Sequence, residues 1–333
     1  MKHISNINLP MITFIILIAL TNSVALHANI FSNFYEGVPV LVTGGCGFIG
    51  SHLVEKLVLL GADVTILDDL SSGNKQNISA VADKVTFIHD SITNFEACLE
   101  ATRNKKIIFH LAAFVSVPAS TEDPRACHTI NVMGTQNILE AARINNVKRF
   151  VFSSTCAIYG QSTLPCDENM QPAPISPYGF SKLIGEIYCK EYAHVFDMET
   201  VSMRYFNVHG SRQNPQGHYA GVVAKFIHNM AHDLPITIFG DGTQTRDYVP
   251  VQTIIEANIL LGACEKQHIQ GEIFNIATGQ SITLLELADS LKKRYADYKN
   301  ETIFMPARPG DVKYVSADCS KYNSLYNQVI QNS

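Results

Sequence analysis

Thr43-Gly44-Gly45-Cys46-Gly47-Phe48-Ile49-Gly50 decides the fold of this chain. The run follows Val40-Leu41-Val42, an apolar triplet suited to a short buried strand, and opens a helical pattern from about Phe48 to Leu60. Gly44 and Gly47 let the backbone turn sharply and approach a pyrophosphate, and Gly50 lets the helix pack closely on the strand. The first helical turn, with Phe48 and Ile49, then offers N–H groups to phosphate oxygens. A glycine triplet by itself says little. Placed between a strand and a helix, it reads as a dinucleotide site.

Outward from that turn the pattern continues. Val64-Thr65-Ile66-Leu67 is a second strand, ended by Asp68, whose carboxylate can accept hydrogen bonds from an adenosine ribose. A 2′-phosphate would meet negative charge there, so NAD is expected rather than NADP. Asp69 could share the role, although it points to the other face of an extended strand end. Val85–Ile88, Ile107–Leu111 and Phe150–Ser153 read as further strands, and Cys127–Asn145 has helical periodicity. Strands alternating with helices predict an α/β fold with a doubly wound parallel sheet. From Asn207 onward Pro, Gly and His become frequent, which predicts a smaller C-terminal α/β lobe over the carboxyl edge of the sheet. The expected division is a leader over 1–36, a dinucleotide domain over 37–206 with part of 245–280, and a mainly substrate-binding lobe over 207–333.

Bulk properties exclude several classes. Hydrophobic residues make up 46% of the 333 positions and charged residues 17%, a globular composition. The net charge of −5 argues against a protein that tracks along nucleic acid. Eight cysteines show neither a CxxC pair nor regular spacing with histidine, so they read as reduced thiols, with no metal site. Near the start, Lys2 and His3 precede an apolar run from Leu9 to Leu20 and the small-residue stretch Ser23-Val24-Ala25. That is the pattern of a signal peptide, and it is short for a membrane span of about 20 apolar residues. Membrane association is open only through residues 9–26. NAD chemistry points to the cytoplasm, with a signal peptide or an anchor as the alternatives.

Ser176-Pro177-Tyr178-Gly179-Phe180-Ser181-Lys182 opens a second informative helix. Ser176 can cap it and Pro177 suits its first position. Tyr178 and Lys182, four apart, share one face. An ammonium close to a phenol stabilises the phenolate, and lowering a tyrosine pKa of about 10 by ~3 units takes ~4 kcal/mol. A lysine and a cationic nicotinamide can supply that together. A hydroxyl from Ser153-Ser154-Thr155, at the end of a strand, can bridge the tyrosine and a sugar oxygen.

The order of these elements resembles the extended short-chain dehydrogenase/reductase family, with its Rossmann domain, from about Val38 to Asp318. The motifs are TGGCGFIG, HLAA at 110–113, NVMGT at 131–135, SSTCAIYG at 153–160, YGFSK at 178–182, RYFNVHG at 204–210, TRDYVPV at 245–251 and ARPGD at 307–311. The resemblance implies that Thr155, Tyr178 and Lys182 form a catalytic triad, that Asp90 lies beside the adenine, and that Asn131 is structural. It also implies substrate contacts at Ser116, Asn207, Arg246, Arg308 and Asp311, and a wall beside the hexose C2 substituent at Val315, with Tyr314 as the alternative. The helices Cys127–Asn145 and Pro177–Val195 would pair in a homodimer. Dehydrating relatives carry Asp-Glu after the hydroxyl residue; here Cys156 and Ala157 stand there. The expectation is therefore an NAD-dependent 4-epimerase of a UDP-hexose, similar to the UDP-glucose and UDP-N-acetylglucosamine 4-epimerases. A different epimerase (of UDP-glucuronate, for example) and a non-catalytic nucleotide-sugar-binding protein are the alternatives. Lys321–Ser333 looks short and polar beside the helix-bearing segment that ends relatives, which puts the packing of the small lobe in question.

Overall fold

The computed structural model describes residues 31, 33–162, 165–215, 221–295, 297–307 and 312–331. The leader expected over 1–36 lies almost wholly outside them. Seven parallel strands form the main sheet in the order β10-β6-β5-β4-β1-β2-β3. They are β1 (Pro39–Thr43), β2 (Asp63–Leu67), β3 (Val85–Ile88), β4 (Ile107–His110), β5 (Arg149–Thr155), β6 (Glu199–Tyr205) and β10 (Glu272–Ile276). The strand order reverses between β1 and β4, and an open α/β sheet forms its ligand crevice at the carboxyl ends of such a pair. Helices cover both faces, so the central strands are apolar without alternation. Val40 and Val42 pack into one core and Leu41 into the other, as the two-residue period of a strand requires. The helix Phe48–Leu59 packs against the helix Val251–Ala263 on one face.

The smaller part contains β7 (Asn207–His209), β8 (Ile236–Phe239), β9 (Thr245–Pro250), β11 (Ser281–Thr283) and β12 (Thr302–Met305). These form a three-stranded sheet, β11-β9-β7, and a two-stranded one, β12-β8. Phe226, Ile236, Ile238 and Leu287 make a separate core there. The helix Leu284–Arg294 begins with a capping box in which Thr283 and Glu286 exchange hydrogen bonds with each other's backbone N–H. Between β9 and β11 the chain returns to the main sheet, where β10 forms one edge.

Two segments differ from the sequence reading. The helical stretch expected over Cys127–Asn145 is a helix Pro124–His128, a π turn Thr129–Met133 and a helix Gly134–Ile144. The C-terminal segment, which reads as short and polar beside the helix-bearing end of relatives, forms the helix Ser320–Gln331 and lies on β10. Tyr322 and Leu325, three apart, go into the large core, and Lys321 Nζ donates to Ile273 O (2.8 Å) and Glu272 (2.6 Å). Two buried side chains and one lysine suffice because the helix closes a sheet edge and has no core of its own to build. Among the described residues no helix is long and apolar enough to cross a membrane.

Candidate active site

The glycine turn at the end of β1 is closed by contacts that no other residue type permits. Gly44 has φ +70°, and a Cβ on it would lie 2.8 Å from Ala112 N. A Cβ on Gly50 would lie 2.1 Å from Gly44 O. Gly47 is the N-cap of the following helix, whose first turn, with Phe48 and Ile49, has no side-chain cap. Among the described residues a Cβ on Gly47 would have only Gly44 O within 4 Å, at 3.2 Å, so its outer side is open. Uncapped N–H groups behind an open glycine surface fit a diphosphate. Asp68 is buried beside the turn and accepts from Cys46 N and Leu70 N, both at 2.8 Å. Burial raises its pKa, while the two N–H bonds and His89 oppose the rise. Asp69 faces outward instead and accepts from Ser71 N at 2.9 Å, so it is turned away from the site by closing a surface turn. Asp90 follows β3, half-buried, and accepts from Ser91 N (2.7 Å) and Asn94 Nδ2 (3.1 Å).

His110 locks β1 to β4. Thr43 Oγ1 accepts from Leu111 N and Ala112 N, both at 3.2 Å, which leaves its single proton for His110 Nδ1 at 2.7 Å. The ring proton is then on Nε2, which donates to Thr135 Oγ1 at 3.0 Å. Full burial, and Lys182 nearby, hold His110 down to about 3, so the ring is neutral.

The helix Pro177–Phe196 carries the next group. Ser176 Oγ accepts from Gly179 N at 3.1 Å and caps it. Tyr178 and Lys182 face the end of β5, 9% and 3% exposed. The Thr155 hydroxyl lies beside the Tyr178 phenol, close enough to favour its ionised form, and accepts from Ala157 N at 3.2 Å. Lys182 Nζ donates to Ser153 O at 2.9 Å and stands 4.9 Å from the centre of the Phe152 ring. Burial pushes the Tyr178 phenol above its ordinary value, with Thr155 opposing. Burial also lowers Lys182 to about 8, with Cys127, Cys189 and Glu186 opposing. The sequence argument expects the ammonium to depress the tyrosine; in the protein alone desolvation is the larger effect.

Two further residues brace this helix. Asn131, in the π turn, accepts from Phe114 N (2.7 Å) and donates to Phe114 O and Ser181 Oγ (both 2.9 Å). It thereby joins the loop after β4 to the helix Pro177–Phe196. Ser116 is buried, and its Oγ accepts from Ala119 N at 3.2 Å to start the helix Val117–Glu122. Ser120 of that helix accepts from Tyr178 N at 3.2 Å.

A cleft of about 640 Å³ opens in the smaller part and brings Asn207 and Arg246 together. Asn207 Nδ2 donates to Asp247 O (3.3 Å), and Arg246 Nη1 to Thr245 O (2.8 Å). Arg246 is also close enough to Cys156, next to Thr155, for its charge to act on that thiol. Lys225, His228, Asn229, Phe239 and Tyr248 line the cleft too, and sequence reasoning missed them. A signal existed: Lys225, His228 and Asn229 recur at i, i+3 and i+4, opposite the buried Val223, Phe226 and Met230. Val315 is half-buried against the large core, with its carbonyl accepting from Ser281 Oγ at 2.7 Å, whereas Tyr314 is 48% exposed. Arg308 and Asp311 lie outside the described residues. All eight cysteines are free thiols.

Residues 40–277 match the model of the NAD dependent epimerase/dehydratase family. The chain belongs to that family. A putative UDP-glucose 4-epimerase of Methanocaldococcus jannaschii is 40% identical over 289 residues, which span 86% of this chain and 92% of that protein. The structure of Thermotoga maritima UDP-glucose 4-epimerase with UDP-glucose superposes with a TM-score of 0.82 at 38% identity, covering 86% of this chain and 92% of that one. The UDP-N-acetylglucosamine 4-epimerase of Methanobrevibacter ruminantium, in complex with UDP-N-acetylmuramic acid, gives a TM-score of 0.82 at 34% identity, covering 87% and 92%. This chain is thus an NAD-dependent nucleotide-sugar epimerase of the epimerase/dehydratase family. The uncapped glycine turn and the buried Asp68 fit that cofactor.

Proposed function

We propose that the protein interconverts the C4 epimers of a UDP-hexose, N-acetylated hexoses included. The observation that carries this reading is the Thr155–Tyr178 contact beside a buried Lys182, followed by Cys156 and Ala157 where an acid pair would be needed to expel water. Bound NAD supplies a hydride acceptor and donor for C4, together with a positive charge. The Tyr178 oxygen removes the proton of the 4-hydroxyl and later returns it, and Thr155 holds the same hydroxyl in line. Lys182, fixed by Ser153 O, balances the charge on the tyrosine oxygen. Asn207 and Arg246, with Arg308, would grip the diphosphate, leaving the hexose alone free to present either face of C4 to the bound cofactor. Residues 37–206, with part of 245–280, serve the dinucleotide, and 207–333 mainly the sugar nucleotide. Exposed Met133, Phe180, Ile187 and Val195 give the helices around them an apolar face suited to a twofold pair.

The substrate range follows from Val315. A valine leaves room beside C2 where a tyrosine ring would exclude an acetamido group. The purified protein should epimerise UDP-N-acetylglucosamine at least as well as UDP-glucose without added NAD, releasing no NADH. Tyr178→Phe should bind NAD and lose turnover by about 10²–10⁴-fold. Val315→Tyr should impair the N-acetyl substrate far more than the plain hexose. Retained turnover in Tyr178→Phe would remove the catalytic reading; equal losses on both sugars in Val315→Tyr would remove the wall.

A further inference from the structure

Three successive residues at the end of β5 each face a different residue of the helix Pro177–Phe196, one turn apart. Thr155 lies beside Tyr178, Ser153 O accepts from Lys182 Nζ at 2.9 Å, and Ser154 Oγ donates to Glu186 Oε1 at 2.6 Å. The first two contacts belong to the chemistry above. The third does not touch the cleft. Glu186 and its partner Arg204 are each 2% exposed, and the guanidinium grips the carboxylate with two bonds, Nε–Oε1 at 2.9 Å and Nη2–Oε2 at 2.7 Å. Arg204 lies on β6 opposite Ser154 in the ladder and stacks on Tyr159, 4.7 Å from the ring centre. A buried ion pair of this kind is a poor source of stability, since apolar residues of equal volume often do as well or better. What it does provide is a fixed distance: one carboxylate oxygen is shared by the strand that bears Thr155 and by a buried guanidinium.

We propose that Glu186 is a positioning residue for the reaction: clamped by Arg204, it holds Ser154 and so sets the register between the β5 end and the helix, fixing Thr155, Tyr178 and Lys182 relative to one another. The inference rests on the catalytic reading of Tyr178 and Lys182. It has an electrostatic corollary. Lys182 is faced by Glu186 and Cys189 on its own helix, by Tyr178, by Cys127 from the helix Pro124–His128, and by His110 from β4. Glu186 is the anion among them and favours the ammonium; Arg204 behind it cancels part of that effect. Without the carboxylate, Lys182 loses its proton at lower pH.

The test compares Glu186→Gln, Ser154→Ala and the neutral double variant Glu186→Gln/Arg204→Met with the wild type, by kcat, KM, pH profile and Tm. Glu186→Gln should lower kcat about tenfold with KM within about twofold, and move the alkaline limb of the profile down by about one pH unit. The double variant should bring the limb back while kcat stays low, because charge balance returns and the clamp does not. Ser154→Ala should lower kcat with the limb unmoved. It carries the test by itself if Glu186→Gln does not fold. Wild-type kcat in Ser154→Ala, or a fall in Tm with unchanged kcat and limb in Glu186→Gln, overturns the proposal. Tyr178→Phe is assayed alongside. An active Tyr178→Phe defeats the catalytic reading itself, whereas an inactive one with wild-type kcat in Ser154→Ala defeats only the role of Glu186.

Discussion

Replacing either of two glycines in the phosphate turn by alanine should separate folding from cofactor binding. At Gly50 the added Cβ would stand 2.1 Å from Gly44 O, 2.9 Å from Gly44 C and 3.0 Å from Gly45 Cα. All three are backbone atoms, so no rotamer relieves the clash. Ordinary contact begins near 3.4 Å, and the helix must retreat from the turn by about 1.3 Å, the difference between 3.4 and 2.1 Å. Overpacking of this kind costs about 1–3 kcal/mol, and a backbone clash belongs at the upper end. At about 2–4 °C per kcal/mol, Tm should fall by roughly 6–12 °C. The same retreat takes the helix N–H groups out of reach of the diphosphate. Gly47 differs: its φ of −75° suits alanine, and the new Cβ would approach one carbonyl oxygen at 3.2 Å. Gly47→Ala should cost about 1 kcal/mol or less in stability, yet place a methyl group on the open side of the turn. Calorimetry gives Tm, and chromatography of the nucleotide released on denaturation gives NAD per chain. Both variants should lose NAD, and only Gly50→Ala should lose much Tm. A Gly50→Ala protein with wild-type Tm and full NAD would refute the packing argument. Equal Tm losses in the two variants would refute the assignment of Gly47 to the ligand side.

Three further outcomes are expected. Asp68→Ala should relax the preference for NAD over NADP in binding titrations; an unchanged preference would remove Asp68 from the ribose site. His110 has a folded-state value of about 3 against about 6.5 when unfolded. Between those values the unfolded chain holds a proton that the folded one does not, so stability falls as pH falls, by about 4 kcal/mol from this group by pH 3.5. His110→Asn should be less stable at neutral pH, with a deficit that shrinks on acidification in denaturant titrations; a constant deficit would contradict the neutral-ring assignment. Sedimentation at micromolar concentration should show a dimer, and a monomer would leave the apolar face around Phe180 and Ile187 without the proposed role.

The parts of the fold that were legible from sequence are those governed by local rules. The turn at 43–50 was readable because positive φ and close approach admit only glycine at fixed spacings. Tyr178 and Lys182 were readable because four residues make a helical turn. The strand boundaries of β5 were less so: Phe150–Ser153 was expected, whereas the ladder with β6 runs from Arg149 to Thr155, sustained by register that sequence alone does not display. The same is true of Glu186 and Arg204, eighteen positions apart, each of which reads by itself as a surface charge. The docking of Ser320–Gln331 on β10 depends on a strand contributed late in the chain. Beyond Asn207 and Arg246, the cleft escaped because its polar lining is divided between the helix Val222–Ala231 and the strands β8 and β9, short patterns that mean little separately.

The electrostatics of the tyrosine and lysine show what the fold leaves to its ligands. Burial favours the neutral form of each group, holding the proton on Tyr178 and lowering Lys182 to about 8. An amine at about 8 still carries its proton at neutral pH, so the proposed working state, a phenolate beside an ammonium, differs from the empty protein in the tyrosine alone. Removing the phenol proton beside an ammonium leaves the pair with no net charge, so the phenolate escapes most of the penalty that it would meet alone. What remains is the rise that burial gives the phenol, at ~1.4 kcal/mol per unit. Thr155 beside the phenol opposes that rise, and the positive charge of a bound cofactor would oppose it further. A base arranged in this way stays protonated in the empty protein and becomes competent with cofactor in place, and this follows from the depth at which Tyr178 is set. Bringing the phenol to the surface would lower its pKa without any cofactor, but a solvated phenolate would no longer lie in line with Thr155 and the sugar hydroxyl.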